Sequence, residues 1–449
     1  MLRRSFLGTL AGGLASASPG PKRNFVLILA DDLGARDLAC YGNRNVSTPH
    51  LDRLARDGAR FTNAYAACPV CSPTRASILT GRYPVRTGVT DWIPGRPSDP
   101  HGPVTTPRTA TELRLEETTI AEALKPAGYR SASIGKWHLG GEGFLPPQQG
   151  FDVNIGGNHT GSPPRSPKPY FGPAELPNLK LGDGEFLTGR LTREACGFIE
   201  QNRANPFFLY LAHYAVHIPL GAPYPAMIES VDESVGAVVK AIDAAGVADR
   251  TMIVFFSDNG GLCYEGRSPS RVTDNSPFRA GKGHLYEGGI REPLIIRTPA
   301  VTRPGMVIDT PVCSIDLLPT FVEGAKNVDG VSLMPLLRGG TIAPRALFWH
   351  YPHYSNQGGE PASAIRDGDW KLIEFLADGR RELFNLKTDE GEQRNLVERE
   401  PAIVGRLAAR LAAWRKETGA VMPTVNPAAD PHWPGFGLTG EQKPVPPLR

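Results

Sequence analysis

The chain has 449 residues, enough for about three average domains or for one large α/β domain with a smaller companion. Hydrophobic residues make up 40% and charged residues 21%, which supplies a large core and excludes a disordered linker. Lys plus Arg number 49 against 46 Asp plus Glu, a net charge of +3, so the concentrated basic charge of a dedicated nucleic-acid binder is missing.

At the N-terminus Arg3 and Arg4 precede a mild apolar run to Leu14, and Ala15-Ser16-Ala17 offers a small-residue cleavage site. Paired arginines in this setting resemble a twin-arginine export signal over residues 1–20. That reading implies the twin-arginine export machinery as a partner and a periplasmic place in a bacterium. No stretch is apolar enough over ~20 residues to serve as a transmembrane segment.

Four segments are continuous apolar runs, the pattern of strands covered on both faces by helices. Phe25 to Ala30 stops at Asp31-Asp32, and Ser131 to Ile134 stops at Gly135-Lys136-Trp137-His138. Phe207 to Leu211 leads to His213 and His217, and Met252 to Phe256 stops at Ser257-Asp258-Asn259-Gly260. In an open α/β sheet ligands collect beyond the carboxyl ends of the strands, so these polar clusters should meet around one pocket. Between the strands, Thr48-Pro49 reads as a cap and first helical residue, with Leu51, Leu54 and Ala55 following until Gly58. A second helix is predicted from Thr119 to Gly128. The longest is predicted near Ala226 to Ala245, with Met227, Val231, Val235, Val238 and Ile242 on one stripe.

Beyond residue 345 the texture changes. Ala346 to His350, Ser363 to Arg366, Trp370 to Phe375 and Arg381 to Leu386 read as short strands, with Asp367-Gly368 as a turn. A helix is predicted near Pro401 to Arg415, followed from about Val421 by an extended Pro-rich tail. The expected division is a catalytic α/β domain over 21–345 and a smaller α+β part over 346–449. The fold class is thus α/β, a large and mostly parallel sheet flanked by helices, with a smaller antiparallel sheet and one helix after it.

Cys71-Ser72-Pro73-Thr74-Arg75 suits a helix start, which puts Cys71 at a positive helix end where an anion is favoured. Asp31, Asp32, Asp258 and Asn259 supply only oxygen, which suits a hard divalent cation better than zinc. Crowded carboxylates repel one another without a cation. Taken alone, each of these segments reads equally as a solvated turn or a cap. Cys68-Pro69-Val70-Cys71 also permits a redox or zinc dicysteine, although further ligands at matching spacing are missing.

Cys-x-Pro-x-Arg with Thr80-Gly81 six residues on resembles the signature of type I sulfatases, members of the alkaline phosphatase superfamily. Further segments match in the family's order: Ala30 to Gly34, Gly135 to Gly140, His217-Ile218-Pro219, Ser257 to Gly260, and Gly281-Lys282 through Glu287 to Arg291. The likeness runs from about residue 24 to about 396, taking in Asp367 to Leu372 and Glu382 to Leu386.

The resemblance implies hydrolysis of a sulfate ester, with a sulfated carbohydrate as the leading substrate. It implies that Cys71 is oxidised to formylglycine by a separate maturation enzyme, and that Ca2+, or Mg2+ in its place, sits on Asp31, Asp32, residue 71, Asp258 and Asn259. A hydroxyl of the hydrated aldehyde would attack sulfur, His217 with Lys282 would protonate the departing alcohol, and His138 would act as base when sulfate is expelled. Arg75, Lys136 and Lys282 would hold the accumulating charge. Asn158 and His159 are candidate substrate contacts in a Gly- and Pro-rich loop, while His213, Glu287 and Arg291 read as supporting residues. Two alternatives share these features: a phosphonate monoester hydrolase or phosphodiesterase of the same superfamily, and a glycan-binding protein whose Cys71 is never converted. The loops over 90–114 and 156–184 are long and polar, which suits an open cleft for a sugar.

Overall fold

The computed structural model describes residues 22–165, 168–263 and 272–433. The predicted export signal over 1–20, and the part of the predicted tail beyond residue 433, lie outside the described residues.

Nine strands form the large sheet: β1 (Asn24–Ala30), β2 (Ala59–Tyr65), β3 (Arg130–Gly135), β4 (Val153–Ile155), β5 (Phe207–Ala212), β6 (Thr251–Ser257), β7 (Arg291–Arg297), β8 (Met306–Ile308) and β9 (Val312–Cys313). Their spatial order is β8-β2-β7-β6-β1-β5-β3-β4, and β9 follows β8 along the same edge of β2. Every pairing is parallel except the two made by β7, which runs against β2 and β6.

Four helices matter to the site's position: α1 (Pro49–Asp57), α2 (Cys71–Thr80), α3 (Leu187–Gln201) and α4 (Tyr224–Ala244). Alternate residues of β1 explain how both faces are covered. Val26 and Ile28 join the core with α1, α3 and α4, whereas Phe25, Leu27 and Leu29 face Ile78 and Leu79 of α2. The apolar stripe predicted on the longest helix is wholly buried on α4.

The start of α1 differs from expectation. Thr48 sits at the N-cap position but caps nothing; its hydroxyl accepts from Ala39 N at 3.0 Å and donates to Asp52 at 3.1 Å. The free N–H groups of His50 and Leu51 instead donate to the Asp232 carboxylate of α4, at 3.2 and 2.7 Å. A residue 182 positions beyond His50 thus does the capping, which no local pattern reveals. Thr119, by contrast, forms a capping box with Glu122, as a helix start there requires.

The smaller sheet consists of β10 (Ala346–Tyr351), β11 (Ala362–Asp367), β12 (Trp370–Phe375) and β13 (Arg381–Asn385), all antiparallel and in chain order. Gly368 takes φ +61° in the tight turn between β11 and β12, a conformation that suits glycine. Helix α5 (Pro401–Thr418) covers this sheet through Val404, Leu407, Leu411 and Trp414. Their core continues into Tyr65, Tyr83 and Tyr286 beside the large sheet, and Trp349 donates to the Ala66 carbonyl at 2.8 Å. The described part of the tail runs extended at Thr424–Val425, paired with Val104–Thr105.

Candidate active site

The parallel strands β1, β3, β5 and β6 all end at one edge of the sheet, and their next residues carry Asp31-Asp32, Lys136, His213 and Asp258-Asn259. Strand β2 ends at the same edge and leads through Ala66–Val70 into Cys71 at the first turn of α2. Because β7 is antiparallel, its beginning lies at that edge too, pairing Arg291 with Tyr65. The reversed strand is what delivers Lys282 to the pocket. Asp32 and His138 both hold positive φ, 61° and 58°, a strained backbone for residues with side chains.

Three carboxylates face three fixed cations here, all buried. Lys136 Nζ lies 2.6 Å from Asp31 Oδ2, and Lys282 Nζ lies 2.6 and 2.8 Å from the two Asp32 oxygens. The guanidinium of Arg75 grips Asp258 Oδ2 at 2.7 and 2.8 Å and donates to the Lys136 carbonyl at 3.0 Å. Burial and the neighbouring Asp258 push the Asp31 carboxyl up to about 8, against the pull of Lys136 and Arg75. Burial works to raise Asp32 too, but Lys282, His217 and Lys136 together outweigh it and hold that carboxyl below the usual range. Asp31 Oδ1 and Asn259 Oδ1 are buried without a hydrogen-bond partner. Unpaired buried oxygens among carboxylates are what a hard dication requires, so the residues fit a Ca2+ or Mg2+ ion. Among the described residues, Asp31, Asp32 and His217 bring ligand atoms within 4.8 Å of one another.

Cys71 Sγ lies 3.3 Å from His138 Nδ1, and His138 Nε2 lies 2.6 Å from the Ile93 carbonyl. A carbonyl only accepts, so Nε2 carries the proton and Nδ1 turns its lone pair to residue 71. Burial, with Lys136 next, keeps His138 well below the usual histidine range. His217 is similar: burial and Lys282 hold it at about 3, its Nδ1 faces the Ile218 carbonyl, and its Nε2 stands 3.7 Å from Asp32. Burial also raises the Cys71 thiol, and raises Cys68 further. Both thiols are free, and thiols so disfavoured as thiolates are poor redox or zinc partners.

A cavity of about 560 Å3 opens over these groups, with Cys71, His138, His217 and Lys282 in its lining. His159 stands at its rim. The Asn158 side chain does not reach it; its Oδ1 accepts from Thr160 N and its carbonyl accepts from His138 N. His213 is buried away from the cavity, with Nε2 2.9 Å from Ser234 Oγ. Glu287 is buried with Lys371 at 2.9 Å and Arg291 at 3.4 Å, a support beneath the site. Sequence reading missed Trp92, Ile93, Arg165, Asn356 and Gln357 in the wall. They come from three separate connections: Trp92, Ile93 and Arg165 lie in the two loops that suit an open cleft, though no pattern singled out these residues, and Asn356 and Gln357 carried no signal.

The sulfatase family model matches residues 23–327, and one described as N-sulphoglucosamine sulphohydrolase, C-terminal, matches residues 280–417. Arylsulfatase A of Homo sapiens is 37% identical, covering 88% of this chain and 86% of its own length. N-acetylgalactosamine-6-sulfatase of Homo sapiens is 34% identical, covering 75% and 69%. The crystal structure of Ps i-CgsB in complex with k-i-k-neocarrahexaose superposes with a TM-score of 0.74 at 28% identity, over 94% of this chain and 96% of that one.

Proposed function

Because this chain belongs to the sulfatase family and hydrolyses sulfate esters, we propose that its substrate is a sulfated carbohydrate and that Cys71 acts after conversion to formylglycine. Asp31, Asp32, Asp258 and Asn259 would hold one Ca2+, with Mg2+ as the alternative. The observation that carries this reading is the convergence of Cys71, the oxygen-only donors and three buried cations at one end of one sheet. The sugar assignment draws on the names of the relatives and on a wall that joins Trp92 to the amides of Asn356 and Gln357.

Cys71 is 2% exposed, so a maturation enzyme has to reach it before the fold closes. A dication at the carboxylates supplies Lewis acidity and makes a hydroxyl at position 71 a better nucleophile. The chain's own cations balance the three carboxylates, so the loaded site is positive and favours an anionic ester. Lys282, in the cavity lining, is placed to hold a sulfate oxygen. His138 Nδ1 is placed to take a proton from residue 71. His217 is neutral in the free enzyme; an arriving anion favours its protonated form, and Nε2 can then supply a proton to the departing alcohol with Lys282 beside it. The chemistry is assigned to residues 21–345, and residues 346–449 lend part of the wall.

Paired aryl sulfate and aryl phosphate esters test the reaction. Higher kcat/KM on the sulfate is expected, and higher kcat/KM on the phosphate would overturn the assignment. A panel of sulfated monosaccharides, sulfated disaccharides and choline sulfate tests the substrate, and turnover of choline sulfate alone would exclude carbohydrate. For location, we place the enzyme in the periplasm by twin-arginine export. Replacing Arg3 and Arg4 by Lys should hold the protein in the cytoplasmic fraction; unchanged export would refute this route.

A further inference from the structure

The floor of the cavity accounts for sulfate chemistry, but its mouth carries a charge that this chemistry does not use. Among the described residues no Asp or Glu lines the cavity, and its lysine and arginine lining is Lys282 and Arg165. Lys282 lies at the floor, paired with Asp32 and turned to the sulfate that is cleaved. Arg165 is exposed and makes no ion pair or hydrogen bond among the described residues. An exposed arginine is ordinarily just solvated, but this one sits on a loop anchored to the catalytic floor. The Asn158 carbonyl accepts from His138 N at 3.0 Å. A Cβ at Gly161 would stand 2.2 Å from His138 Cε1, so the loop backbone lies directly on that ring. The same cavity is walled by Trp92, half-buried with a flat apolar face, and by Asn356 and Gln357. A flat apolar surface and amide groups suit a sugar ring, and a guanidinium fork without a carboxylate suits an anion.

We propose that the substrate is a sulfated sugar bearing a second anionic group, sulfate or carboxylate, on the same or the adjoining ring, and that Arg165 recognises that group. The proposal rests on the sulfatase reading for which group is cleaved, and on Arg165 for which group is read.

The test compares wild type, R165Q and R165K on four probes: 4-nitrophenyl sulfate, a 6-O-sulfated hexosamine, the same sugar with a second sulfate, and the 6-O-sulfated hexosamine linked to a uronate. Wild type should favour one of the two doubly charged sugars over the singly sulfated one by about tenfold in kcat/KM, as one charge-assisted contact allows. R165Q should lose that advantage, falling about tenfold further on the favoured sugar than on 4-nitrophenyl sulfate, and R165K should recover part of it. The favoured probe identifies the second group as sulfate or carboxylate. Equal turnover of singly and doubly charged sugars, or an equal loss on all four probes in R165Q, overturns the proposal. Calorimetric binding to C71A, alone and with R165Q, separates this from the sulfatase reading. Tighter, Arg165-dependent binding of a doubly charged sugar that is never hydrolysed would sustain the proposal and refute the reading. Hydrolysis of 4-nitrophenyl sulfate with no such preference would do the reverse.

Discussion

At residue 138 a backbone carbonyl decides where the proton sits. Ile93 O holds the Nε2–H, and the lone pair left on Nδ1 points at the sulfur of residue 71. Ser72 secures the arrangement, accepting from Ile93 N at 3.0 Å and donating to the His138 carbonyl at 2.9 Å. On the proposed mechanism, Cys71→Ala should lower kcat by at least about 10³-fold, as removal of a nucleophile does, with an unchanged melting temperature. Sulfate release and a thermal melt check the two halves, and retained turnover would refute the role. His213 predicts a different effect. Burial holds it at about 4 against an ordinary 6.5, so between those values the unfolded chain is protonated and the folded chain is not. Stability therefore falls as pH drops from 6.5 towards 4, by about 3 kcal/mol from this residue. H213L should flatten that dependence in urea titrations at stepped pH; an unaltered slope would count against the assignment. Asp31, Asp32, Lys136, His138, Asp258 and Asn259 were legible in the sequence because each follows a buried strand, whereas Cys71 and Lys282 were legible through the family motifs. The His138 tautomer was not, since it depends on Ile93, 45 positions away.

Strands buried on both faces, such as β1 and β6, were readable because their whole apolar runs had to be covered. Five strands of the large sheet escaped: the three short ones, β4, β8 and β9, are too brief to carry a pattern, and β2 and β7 hide theirs. In β2 the buried and half-buried residues mix as Ala-Arg-Phe-Thr-Asn-Ala-Tyr, with no clean period. In β7 Pro293 interrupts the run, and proline argues against a central strand. The structure accommodates it with a register shift between Glu292 and Leu294, where the missing N–H breaks no regular rung. The α1–α4 clamp is the element whose energetics can be tested most simply. Asp232→Ala removes the acceptor for two N–H groups at the start of α1 and should cost about 1–2 kcal/mol, the range for a lost cap. Urea denaturation would report it, and a change below about 0.3 kcal/mol would show that water replaces the carboxylate.

Across the whole molecule, opposite charges at the site are matched within the protein, and a dication would add to a network that already holds together. Chelation should therefore abolish turnover while leaving a folded, less stable protein. At a free Ca2+ concentration of about 1,000 Kd the ion contributes about 4 kcal/mol, so EDTA should lower Tm and added Ca2+ should restore both Tm and activity. An unshifted Tm would argue against a resident ion. The outline of two sheets, and the three aspartates and one asparagine that follow their strands, were apparent from sequence order alone. The cleft was legible only as two long polar loops; its wall adds residues 356–357 to residues 92–94, 159–162 and 165, and only the folded chain brings these together.

That separation of floor from wall has an evolutionary consequence. The reactive groups are fixed by strand termini that cannot drift without unravelling the sheet, whereas the surrounding connections are held to the floor only at Ile93, Asn158 and Gly161 around His138. Descendants of one ancestor can thus inherit an identical reaction and diverge in clientele by rewriting a handful of peripheral codons. A library randomised at positions 92, 165, 356 and 357 would mimic that history, yielding members with new sugar preferences and ancestral thermal tolerance.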